Sequence, residues 1–109
     1  MKYNKLVRDK IPAIIKSDGK GCKCRNTYVH GEEYRALLIE KMCEELVEFS
    51  ENPCVEEAAD LYEVFTTLLK TWQVPLTEVI KHAARKREER GGFKAGIVLL
   101  EVTGDQASI

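Results

Sequence analysis

The chain has 109 residues, 17 Lys plus Arg against 18 Asp plus Glu, and a formal net charge of -1 at neutral pH. This length fits a single domain, residues 1–109, and the charge balance argues against a general polyanion-binding surface, so no nucleic-acid partner is expected. The sequence offers no apolar run near the roughly 20 residues a bilayer span needs and opens without a signal-peptide pattern. The expectation is a cytoplasmic protein with no membrane partner.

Taken in chain order, "MKYNKLVRDKIPAIIKSDGKG" is basic and mixed. Pro12 suits the first turn of a short helix running to Ile15, and Ser17-Asp18-Gly19 ends it. "CKCRNTYV" alternates and carries Thr, Tyr and Val, as a short strand would. From about Glu32 to Glu51 the period is helical. Asn52-Pro53 breaks that helix and reads as the start of the next, with Asn52 as N-cap. The second long helix reaches Trp72. Pro75 opens a third, which ends near Arg90 before Gly91-Gly92. "FKAGIVLLEV" reads as a closing strand able to pair with the one near Cys24. The tail "TGDQASI" is expected to fray. The fold class is therefore mainly α, in α+β form: a three-helix core with a small two-stranded antiparallel sheet.

Four cysteines, Cys22, Cys24, Cys43 and Cys54, form no pair of C-x-x-C knuckles, and only His30 and His82 are available to complete a zinc site. They read as reduced thiols rather than ligands. His82 reads as a surface helix residue rather than a base. Trp72 and Phe49 read as core.

The acidic residues of the two long helices carry the chemistry. On a wheel of about 100° per residue, Tyr34, Leu38, Met42, Leu46 and Phe49 form one apolar stripe, with Glu45 inside it and Glu48 about 60° away at its edge. In the next helix Leu61, Val64, Phe65, Leu68 and Trp72 form the stripe, with Glu57 inside it and Asp60 at its edge. Each helix thus repeats a pair of carboxylates at i, i+3 spacing on one face. Glu40, Glu51, Glu56, Glu63 and Glu44 read as ordinary solvated charges. An unpaired carboxylate turned into a core is costly, and four that converge repel one another. A hard divalent cation resolves both difficulties, and an all-oxygen ligand set suits Mg²⁺ or Mn²⁺. A short turn between the helices brings the two pairs face to face.

"EELVE" followed by "EAAD" resembles the E-E-x-x-E … E-x-x-D signature of the MazG-type all-α nucleoside triphosphate pyrophosphohydrolases. "YNKLVRDKIPAII" and "KREERGGFKAGIVLLEV" are similar to its phosphoribosyl-ATP pyrophosphohydrolase-like subgroup, and the likeness runs roughly from Tyr3 to Val102. The intervening "FSENPCVE" is shorter than in many members. The resemblance implies a metal site of Glu45, Glu48, Glu57 and Asp60, with Glu45 or Glu48 acting on water. It implies hydrolysis between the α- and β-phosphates of an NTP or dNTP, giving a nucleoside monophosphate and pyrophosphate. It also implies phosphate contacts from Lys86 and Arg90. Lys5 and Arg8, in "KLVRDK", read either as surface charge or as an arm covering the phosphates. Phosphoribosyl-ATP is the alternative substrate, and a non-catalytic metal- or nucleotide-binding helical oligomer is the alternative outside enzymes. Ala36, Leu37, Ile39, Cys43 and Val47 extend the apolar surface of the first long helix beyond its stripe. This predicts a homodimer or homotetramer.

Overall fold

Residues 4–104 are described by the structure, a computed structural model. Tyr3 and the end of the expected tail, residues 105–109, lie outside them. The chain forms two compact units, Met1–Leu76 and Thr77–Ile109. Four helices run in order: α1 (Ile11–Ser17), α2 (Gly31–Glu51), α3 (Val55–Thr71) and α4 (Leu76–Arg90). The protein is mainly helical, and no described helix is long and apolar enough to cross a membrane.

The first unit is organised by an α2–α3 hairpin. Entry into α2 depends on Gly31, which sits at φ 63°, a left-handed conformation that a side chain disfavours. Glu32 and Glu33 then place negative charge in the first turn, where the helix dipole favours it. At the far end Asn52 closes α2, its N–H donating to the Glu48 carbonyl at 3.0 Å. Asn52 is thus the C-cap of α2, not the expected N-cap of α3. Pro53 biases the preceding residue away from helical angles, and Asn52 has φ -143° and ψ 75°. Helix α3 starts instead from an extended Cys54. It ends with Gln73 at φ 55° and the Val74 N–H on the Leu69 carbonyl at 3.0 Å, which ties down the last turn before Pro75. In α1, Pro12 stands in the first turn as expected.

The seam of the hairpin is narrow. Among the described residues only Leu38 (3 % exposed) and Glu45 (6 % exposed) are buried, and Tyr34, Met42, Phe49, Leu61, Val64, Phe65 and Leu68 are half-buried around them. Leu46, expected in the same stripe, is more than half exposed. Four-residue steps each advance the phase by about 40°, so Leu46 is carried about 80° beyond Leu38, whereas Phe49 returns toward the seam. Trp72 also lies half-exposed rather than in a core. The Arg35 guanidinium stands 5.7 Å from its ring and donates to the Thr71 carbonyl at 3.2 Å, binding α2 to the end of α3.

In the second unit α4 is stopped at Gly91, φ 83°, whose N–H reaches the Arg87 carbonyl at 2.9 Å. The sheet expected from "CKCRNTYV" and "FKAGIVLLEV" does not form: no described residue is in a strand. Local alternation gives a segment strand character, but a strand exists only with a partner, and an isolated two-stranded pair is marginal in water. Phe93, Ile97, Val98 and Leu100 are accordingly exposed.

Because Leu38 is the one buried apolar side chain described, Leu38→Ala is expected to cost about 2–4 kcal/mol in urea unfolding. Val55→Ala, at an 85 % exposed position, should stay within about 0.5 kcal/mol.

Candidate metal centre

Helix phase alone brings the first carboxylate inward. Glu45 lies seven residues after Leu38, about two turns, so it points into the same seam. On α3, Glu57 falls in the first turn and Asp60 one turn further along the same face. In the folded hairpin Glu45, Glu57 and Asp60 each offer one oxygen, and the three oxygens lie within 4.8 Å of one another. Glu45 is buried and the other two are half-buried. Three of the four expected ligands thus converge. Glu48 stands beside Glu45 but is exposed and outside this cluster.

Burial pushes the Glu45 carboxyl above the usual glutamate range. The Glu48 carboxylate acts in the same direction, both by its charge and as hydrogen-bond acceptor for a protonated Glu45; Lys41 opposes them, and Asp60 adds a further push upward. Lys41, one turn before Glu45, places its Nζ 3.5 Å from Glu45 Oε1 and 3.5 Å from Glu44 Oε1. Arg8 Nη2 reaches Asp60 Oδ1 at 2.7 Å. Two cations of the chain therefore already stand on the cluster. Even so, Glu45 Oε2 and Glu57 Oε2 are buried without any hydrogen-bond partner.

These orphaned oxygens test whether a cation fits. A buried carboxylate oxygen with no donor is strongly disfavoured, and two of the cluster's residues, Glu45 and Glu57 on facing helices, each carry one. The donor set is oxygen only, matching Mg²⁺ or Mn²⁺ rather than a softer metal. Glu45, Glu57 and Asp60 are the residues that would hold it. The cluster opens into a groove of about 530 Å³ between the segment from Leu6 to Ile14 and the α2–α3 hairpin. Tyr34, Leu38 and Val64 form part of its apolar wall, while Arg8, Lys10 and Lys41 bring positive charge to it.

The basic residues singled out in the sequence are placed as follows. Lys5 pairs with Glu44 at 3.6 Å, and Arg8 with Asp60. Lys86 and Arg90 are exposed on α4, in the second unit. Glu44, read as a solvated charge, instead gathers Lys5 and Lys41. Lys41 and Arg35 were not singled out. The i, i+4 spacing from Lys41 to Glu45 was the available signal for the first, while Arg35 depends on the distant Thr71 and carried none.

Comparisons with protein-family profiles, with curated proteins and with solved structures return no match.

A group whose folded pKa is raised contributes stability below its unfolded pKa and loses it as pH rises through the folded value. Ionised Glu45 therefore destabilises the metal-free fold near neutrality. Glu45→Gln should raise the metal-free Tm by a few degrees at neutral pH. That gain should shrink to nothing as melts are repeated down into the ordinary glutamate range, near 4.5.

Proposed function

We propose that the protein is a divalent-cation-dependent nucleotide pyrophosphohydrolase, cleaving between the α- and β-phosphates of an NTP or dNTP to release nucleoside monophosphate and pyrophosphate. The observation that carries this reading is the partly buried cluster of Glu45, Glu57 and Asp60 with two orphaned oxygens, opening into a groove lined by apolar side chains and cations. The acidic motifs that supply it resemble those of the MazG-type enzymes. Mg²⁺ is the cofactor of choice and Mn²⁺ its substitute. Bound at the cluster, such an ion would neutralise phosphate oxygens and acidify a water.

In this proposal the chain's own residues divide the work. Glu45, Glu57 and Asp60 fix the anionic cradle. Glu48 stands next to Glu45 yet outside the cradle and open to solvent. It is the carboxylate free to take a proton from water as that water attacks the α-phosphorus and pyrophosphate leaves. No covalent nucleophile is required. Tyr34, Leu38 and Val64 offer the groove's apolar wall to the nucleoside. Arg8 and Lys10, which line the groove, supply cations for phosphate oxygens. Phosphoribosyl-ATP is the second substrate to include in the test.

Assembly belongs to the same proposal. Ile39, Leu46, Val47 and Tyr62 are half-exposed on the hairpin, and a homodimer or homotetramer would cover them. Leu46→Glu is expected to lower the mass measured by light scattering to that of a single chain.

The deciding experiment is product analysis with Mg²⁺ and a panel of NTPs, dNTPs and phosphoribosyl-ATP. Monophosphate plus pyrophosphate is the expected outcome. Glu48→Gln should lower kcat roughly 10²–10⁴-fold while leaving metal affinity near wild type. Glu57→Gln should lose both. Nucleotide binding without turnover would instead identify a metal- and nucleotide-binding helical oligomer.

A further inference from the structure

The two cations that stand on the carboxylate cluster are held very differently. Lys41 belongs to α2 itself, one turn from Glu45, and its side chain is largely covered. Arg8 comes from before α1, 52 residues from Asp60, and its side chain is 58 % exposed. A single bond of 2.7 Å ties it to Asp60 Oδ1. It also lines the groove into which the cluster opens.

The same cluster contains the 8 % exposed Glu45 side chain, whose Oε2 has no partner, and the equally unpartnered Oε2 of Glu57. A divalent ion entering there takes up oxygens that no side chain serves. It also brings two positive charges close to a guanidinium bonded to one of its own ligands. In a partly covered site, like charges a few ångströms apart repel strongly, and Asp60 cannot neutralise both fully. Lys41 is confined by its helix, so Arg8 is the group free to leave.

We propose that Arg8 is a metal-exchanged positioning residue: it neutralises Asp60 in the metal-free protein, is released when a divalent cation binds, and then grips the anionic group of the incoming ligand. This rests on the cation-site reading above. The guanidinium fork suits phosphate oxygens, and from the groove wall Arg8 needs only side-chain rotation to change partners. The pairing with Asp60 keeps the cluster tolerable before the ion arrives and stores the phosphate-binding group beside it.

The test is calorimetric titration of Mn²⁺ alone into wild type, Arg8→Gln and Arg8→Lys, followed by inorganic pyrophosphate into the Mn²⁺-loaded proteins. Removing a competing cation should tighten Mn²⁺ binding in Arg8→Gln by about three- to tenfold, the range of a charge-assisted surface pair. Pyrophosphate binding to the same variant should weaken by about tenfold, an opposite movement that a merely structural role would not produce. Arg8→Lys should return Mn²⁺ affinity toward wild type while recovering only part of the pyrophosphate affinity. Equal or weaker Mn²⁺ binding in Arg8→Gln, or unchanged pyrophosphate binding, overturns the exchange. Wild-type protein that takes up no Mn²⁺ overturns the cation site and the exchange together, and the wild-type titration alone tells that failure apart.

Discussion

Glu45 lies in the seam of a two-helix hairpin with a carboxylate oxygen that nothing in the chain serves. Taking a carboxylate out of water costs several kcal/mol, on the order of a whole small domain's stability, unless something compensates. The surrounding features are arranged as partial compensation. Lys41 approaches one oxygen, Glu45 holds its proton more tightly than an exposed glutamate, and Arg8 neutralises the neighbouring Asp60. The second Glu45 oxygen and its counterpart on Glu57 remain unserved. An apolar residue at position 45 would give a more stable hairpin. The proposed cation site gives the acid there a purpose.

The same constraint explains how the first unit is organised. With only Leu38 buried among the described apolar side chains, the hairpin has little burial of its own to offset converging like charges. Its coherence depends on contacts at the ends. Arg35 fastens α2 to the last turn of α3, and the Asn52-Pro53 corner sets the spacing that lets Glu45 meet Glu57. The half-exposed apolar residues on the outer faces of the hairpin are the surface that the proposed oligomer would cover. A site built on helix faces rather than loops holds its ligands firmly, which suits chemistry that depends on electrostatic placement.

Much of this was legible in the sequence because helices are local. Period, Pro12, Pro53, Pro75 and Gly91 marked four helical segments to within a few residues, and helix phase then put Glu45, Glu57 and Asp60 on facing sides. What was not legible was non-local. The strand patterns near Cys24 and after Gly92 named no partner able to pair with them, and no described strand forms. The Arg8–Asp60 pair joins residues 52 positions apart, which no spacing rule anticipates. On the helix wheel Leu46 and Trp72 group with the broad apolar stripes. Leu46 lies about 80° from Leu38 and Trp72 caps the end of α3, so both stand toward solvent instead.

The most direct test of a cation site at Glu45, Glu57 and Asp60 is the electron paramagnetic resonance of Mn²⁺ titrated into wild type and Glu57→Gln. Loss of the free-ion signal with saturation at a fixed number of ions per chain in wild type, and none in Glu57→Gln, is the result expected here. Equal uptake by both proteins, or none by either, would contradict it.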